Sequence, residues 1–161
     1  MEILSDFSTS VRRALEEIDP QYESYDGLVI CGSHNPRLEE VDFLISKIQE
    51  ARETKRPFLG ICYGHQLAAV EYARNVLGIK DATSEEFGVP GTFIVKKRAS
   101  GLQVGLHEGD SYWNNYCVDP EFYQKWPTLD HFITCQFHPE YESSVNNHHP
   151  LLAKFIELCK K

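Results

Sequence analysis

The sequence predicts an α/β fold of three layers, with a mostly parallel central sheet and helices on both faces. Short apolar runs rich in β-branched residues alternate with stretches of helical periodicity, and the order strand, helix, strand, helix joins parallel strands through helical crossovers. Length agrees. At 161 residues the chain is about the size of one domain, which buries roughly 70% of the surface its unfolded form exposes and needs no disulfide framework. No repeat, linker or low-complexity segment interrupts it, so one domain over residues 1–161 is expected.

Taken in order, "YDGLVICGS" is an apolar run closed by Gly32 and Ser33, and Val29 and Ile30 favour a buried strand. After Pro36, apolar residues recur at Val41, Leu44, Ile45 and Ile48, the spacing of an amphipathic helix. "RPFLGI" predicts a second buried strand. In the helix after it Leu67, Val70, Ala73 and Leu77 share a face, and Gly78 suits its C-terminal cap. "TFIVKK", "LQVGLH" and "FITCQF" fit further strands. "PLLAKFIELCKK" closes the chain as a helix, with Pro150 in its first turn and a stripe of Leu152, Phe155, Ile156 and Cys159.

Composition narrows the function classes. The five cysteines (Cys31, Cys62, Cys117, Cys135, Cys159) are odd in number and form no C-x-x-C pair, which argues against disulfides or a zinc knuckle and fits a reducing cytoplasm. No window approaches the roughly 18 apolar residues of a membrane span. A net charge of -8, with 16 basic residues that form no run, disfavours nucleic acid as a partner. There is no P-loop and no dinucleotide fingerprint, so no cofactor is expected. His148 and His149 adjoin, but adjacent side chains diverge and a solvated loop is the simpler reading than a metal site.

The chemistry concentrates at "FLGICYGHQ". Gly60-Ile61-Cys62-Tyr63-Gly64 is the cysteine version of the G-x-S-x-G elbow, a sharp strand-to-helix turn that exposes a nucleophile. Cys62 would lie at the carboxyl end of a strand and at a helix N-terminus, where free N–H groups favour a thiolate and can hold an oxyanion. A buried cysteine beside packing glycines would give the same five residues. In "QFHPEYES" a strand ends at His138, Pro139 and Glu140, which supplies a base at a strand terminus and a carboxylate to orient it. Either motif alone has an ordinary structural explanation; together they describe a Cys-His-Glu triad.

"FLGICYGHQ" and "QFHPEYES" together resemble the class I (triad) glutamine amidotransferase family, whose fold is flavodoxin-like. "AVEYARNVLGIKDATSEEF" and "HHPLLAKFIE" are similar to the glutaminase domain of CTP synthase, an enzyme of pyrimidine nucleotide biosynthesis. The resemblance implies Cys62 as nucleophile with His138 and Glu140, an oxyanion hole from the N–H groups of Gly32 and Tyr63, and glutamine-binding roles for Gln66, Glu86 and the Ser33 loop. It implies L-glutamine as substrate and an ammonia-accepting synthase partner, or self-association. No part of the chain resembles the amidoligase half of CTP synthase.

The pattern departs in three places. Ser33 stands where the oxyanion loop of CTP synthase has a second glycine. An arginine of CTP synthase that holds the substrate carboxylate has no counterpart in "HEGDSYWNNYCVDPEF", leaving Tyr112, Asn114 and Asn115 as neutral donors. The start of the domain is compressed into "MEILSDFSTSVRRALEEIDPQ". Hydrolysis of another γ-glutamyl compound, or a catalytically quiet binding module, therefore stand beside glutaminase as readings.

Overall fold

A computed structural model describes residues 1–161. Its centre is a parallel four-stranded sheet in the order β1 (Glu2–Leu4), β2 (Leu28–Ile30), β3 (Phe58–Ile61), β9 (Phe132–Cys135). On β2 the alternation is plain: Leu28 and Ile30 face one layer and Val29 the other. The first layer holds α2 (Leu38–Thr54) and α3 (Tyr63–Asn75), the second α1 (Ser8–Ile18) and α4 (Pro150–Cys159).

Strands β2, β3 and β9 and helices α2, α3 and α4 fall on the segments whose periodicity predicts them. Gly78 adopts φ +74°, and the turn lets Ile79 N–H reach the Ala73 carbonyl at 2.9 Å. Strand β1 and helix α1 lie in the compressed opening segment. Because β1, β2 and β3 step in one direction while α1 and α2 cover opposite faces, their two crossovers have opposite hands. Only one of them obeys the right-handed rule.

"TFIVKK" and "LQVGLH" lie outside the central sheet. β5 (Thr92–Lys97) pairs with β4 (Ala82–Ser84) and β8 (Tyr116–Val118) in a small sheet whose inner residues Ala82, Ile94, Val95 and Val118 pack on the α3 side. β6 (Gln103–His107) and β7 (Asp110–Asn114) form a hairpin. Its turn puts Glu108 and Gly109 both at positive φ, the geometry that matches strand twist in tight hairpins.

All four parallel strands point their carboxyl ends the same way. Ser5, Cys31, Cys62 and Gln136 each follow one of them, so the loops that follow share one edge of the sheet. No helix is long and apolar enough to cross a membrane.

Candidate active site

At that edge Cys62 joins β3 to α3. Its N–H donates to the Cys135 carbonyl at 2.8 Å, extending the β3–β9 ladder by one residue, and the chain then turns at φ +51° and ψ -96° into the helix. A positive φ is strained for a residue with a side chain. The two glycines make the turn possible by letting backbone approach backbone. A Cβ on Gly64 would lie 2.1 Å from the Ile30 carbonyl oxygen, and one on Gly60 would lie 2.9 Å from the Gly64 carbonyl. Tyr63 opens α3, so its N–H has no acceptor within the helix and belongs to the positive end of the helix dipole.

His138 and Glu140 follow β9. The Nδ1 of His138 lies 2.8 Å from Glu140 Oε1, and both residues are fully buried. The Tyr141 ring stacks on the imidazole at 5.2 Å and Phe7 meets it edge-on at 5.9 Å, which fixes the ring plane. The Nε2 of His138 makes no hydrogen bond of ordinary geometry. Burial alone would pull this imidazole down, but the Cys62 sulfur and the Glu140 carboxylate outweigh it and push it up to about 10. Cys62, His138 and Glu140 are thus brought together as one constellation.

The loop after β2 completes the surroundings. A Cβ on Gly32 would lie 2.8 Å from His138 Cε1 and 2.6 Å from a Phe7 ring carbon, so only glycine passes there. The Gly32 carbonyl is held by the Phe7 N–H at 3.2 Å and the Ser5 hydroxyl at 3.2 Å, while its own N–H makes no backbone hydrogen bond. Ser33 is anchored: its hydroxyl donates to Asp6 Oδ2 at 2.6 Å and accepts from the Asn35 N–H.

A cavity of about 250 Å³ opens on this constellation, lined by Ser33, His34, Cys62, Tyr63, Gln66, Glu86 and, across from them, Leu102 and the Trp113–Tyr116 segment. Gln66 donates to the Tyr116 carbonyl at 2.9 Å, so its carbonyl oxygen is the end left to a ligand. Glu86 forms no ion pair, and burial pushes its carboxyl above the usual carboxylate range. Trp113 lines this cavity with its side chain largely exposed, and Tyr116 lines it while also packing against the α3 side of the core. Tyr112 does not join them. It packs elsewhere, edge-on to Phe137 at 6.1 Å and to His107 at 6.0 Å.

Sequence reasoning missed Gln136. Its amide donates to Cys62 Sγ at 3.6 Å, and its carbonyl oxygen receives the Gln66 amide at 3.5 Å. Its place between the strand and His138 was the one available signal, since two residues before a strand-end base is the same face of the chain. His149 also differs from a solvated loop residue. It is the N-cap of α4, with Nδ1 accepting from the Leu151 N–H at 3.2 Å and Nε2 3.6 Å from Glu142 Oε2, near Asp110.

The comparisons with known proteins give the family and the fold. The family model described as "Glutamine amidotransferase class-I" matches residues 5–158. The CTP synthase of Methanoculleus marisnigri is 31% identical over an alignment that covers 84% of the chain and 34% of that protein. The CTP synthase of Staphylococcus aureus is 30% identical with the same shares. The chain thus spans about a third of the length of these curated relatives. Among solved structures, the Trypanosoma brucei CTPS glutaminase domain with bound acivicin superimposes with a TM-score of 0.80 at 19% identity, over 99% of this chain and 94% of that one, a likeness of fold. With a family match over nearly its whole length and the fold to accompany it, the chain belongs to the class-I glutamine amidotransferase family.

Proposed function

We propose that this protein is a glutaminase, hydrolysing L-glutamine to glutamate and ammonia through a γ-glutamyl thioester on Cys62. The observation that carries the reading is the cavity opening on a strained cysteine at a helix N-terminus, with a buried His138–Glu140 pair behind it. In this reaction the Cys62 sulfur attacks the side-chain amide carbon. The resulting oxyanion is held by the N–H groups of Gly32 and Tyr63. His138, kept cationic by Glu140, gives its proton to the departing nitrogen, and ammonia leaves. Water then attacks the thioester, His138 takes a proton from it, and the collapse to glutamate expels the Cys62 sulfur as an anion beside the imidazolium, which restores the starting state. Gln66 and Glu86 bind the substrate, Glu86 as counter-charge to its α-ammonium group. Ser33 acts indirectly, by anchoring the loop through Asp6.

Free hydrolysis wastes glutamine, so the ammonia serves an acceptor, either a separate synthase subunit or a larger assembly. The curated relatives carry twice as much chain again beyond the matched region, which supports a synthase as that acceptor. A second reading, hydrolysis of a different γ-glutamyl amide, is favoured by one observation: no lysine or arginine lines the cavity.

Peptide mass spectrometry after treatment with a glutamine analogue bearing an electrophile at the γ-carbonyl position tests both. Glutaminase predicts a single adduct on Cys62, suppressed by excess L-glutamine and absent from Cys62→Ser. An adduct that other γ-glutamyl amides suppress and glutamine does not would select the second reading. No adduct at Cys62, with a general thiol reagent still reaching it, would reject both.

A further inference from the structure

L-Glutamine carries two charges at its α-carbon, and the cavity lining answers only one. Glu86 suits the ammonium group, and no lining residue is a permanent cation. An α-carboxylate brought out of water needs charge-assisted donors. One arginine stands immediately beside the lining without belonging to it. Strands β5 and β8 are antiparallel, with Lys97 opposite Tyr116, and the pairing runs one step further: Arg98 N–H donates to the Asn115 carbonyl at 2.8 Å. Directly opposed residues of an antiparallel pair send their side chains to the same face, about 5 Å apart at Cβ. Asn115 lines the cavity, so Arg98 rises next to that wall. On its other side the turn closed by Gly101 N–H to the Arg98 carbonyl leads directly into Leu102, another lining residue.

Both side chains of this pair are under-satisfied. The Nε of Arg98 and the Oδ1 of Asn115 are buried and have no hydrogen-bond partner. The Arg98 guanidinium forms no ion pair, and its one side-chain hydrogen bond is a 3.4 Å contact from its terminal nitrogen to the Ser100 hydroxyl. Arg98 as a whole is half-buried, but an N–H taken out of water is normally paired. Arg98 Nε–H and Asn115 Oδ1 are a donor and an acceptor that can satisfy one another, and the guanidinium then still has its terminal N–H groups for an anion.

We propose that Arg98 and Asn115 form the α-carboxylate corner of the substrate pocket, so that the guanidinium takes the carboxylate while Glu86 takes the ammonium group. The two sites would make the pocket selective for free L-glutamine over substrates whose α-carboxyl is blocked. This rests on the glutaminase reading and adds a specificity-determining residue to it.

The test compares L-glutamine with L-glutaminamide, whose α-carboxylate is a neutral carboxamide, in the wild type, Arg98→Gln and Arg98→Lys. Each compound is used as substrate and as competitor against Cys62 labelling by the electrophilic glutamine analogue. A charge-assisted pair contributes about 1.5–3 kcal/mol, so loss of Arg98 should weaken L-glutamine by roughly 10–100-fold in KM and in competition. The change in kcat should be small, glutaminamide should be unaffected, and Arg98→Lys should keep part of the preference. Unaltered melting temperatures with an unaltered preference for glutamine in Arg98→Gln would overturn the proposal. A wild type that prefers glutaminamide would overturn it alone, leaving the thiol chemistry standing. If neither compound is hydrolysed or slows labelling in the wild type, the glutaminase reading falls and this proposal with it.

Discussion

At the scale of single residues, the site is an arrangement of groups that each satisfy another. Glu140 holds His138, His138 faces Cys62, and Gln136 approaches the same sulfur from the other side with an amide N–H. Gln66 receives no choice in this chain: its amide points at Tyr116 and Gln136, which keeps the Gln136 nitrogen turned toward sulfur. A hydrogen bond to the sulfur holds it in one orientation toward the cavity. Gln136→Leu should therefore slow labelling of Cys62 by the electrophilic glutamine analogue and lower kcat, each by roughly tenfold. A labelling rate that does not change would reduce Gln136 to a packing residue. The grouping of Cys62, His138 and Glu140 was legible in the sequence because each lies in a short contiguous motif. Gln136 was seen only as part of a strand, and Arg98 not at all, since their roles depend on which strands pair and on what then faces the cavity.

At the scale of elements, the decisive contact is the first turn of α3 against the ends of β2 and β3. Gly64 packs directly on the Ile30 carbonyl oxygen, so α3 cannot approach the sheet with any side chain there. The Gly64→Ala change forces α3 outward, which loosens Tyr63 and Leu67 from the layer they share with Val41 and Leu44. Overpacking against backbone costs about 3 kcal/mol or more, and for a chain of this size the melting temperature should fall by roughly 10 °C. A fall of less than about 2 °C would mean the helix docks with freedom the close contact does not allow. The elements with a strong period, β2, α2, β3, α3, β9 and α4, could be read directly. Strands β4, β7 and β8 could not, because they are short and mixed in composition, with β7 and β8 half-exposed, and their pairing is set by contacts across the chain. The opening β1–α1 unit was hidden for a related reason. Ile3 and Leu4 form too short a run to stand out, and its crossover has the opposite hand to that of α2.

At the scale of the whole molecule, two buried histidines set the pH range in which the fold is most stable, and they act in opposite directions. His65 in α3 is 5% exposed, packed against Tyr123 and Trp126, and burial lowers it from 6.5 to about 4. Between those values the unfolded chain binds a proton that the folded chain refuses, so stability falls as pH drops from about 6.5 toward 4, by up to about 3 kcal/mol. His138 is raised from 6.5 to about 10, so between those values the folded chain holds a proton that the unfolded chain has lost. Its contribution is fully present below 6.5 and disappears as pH rises toward 10. The buried thiols of Cys31 and Cys135, both raised by burial, add to the alkaline loss above about pH 9. Urea midpoints should accordingly peak near pH 6.5 and decline on both sides. His65→Phe should flatten the acid limb between pH 6.5 and 4.5 while leaving the alkaline limb in place. Glu140→Gln removes the carboxylate that holds the imidazolium and should do the reverse. A midpoint that keeps rising to pH 9 would show that His138 is neutral in the folded protein, and the proposed reaction would need another proton donor for the leaving nitrogen.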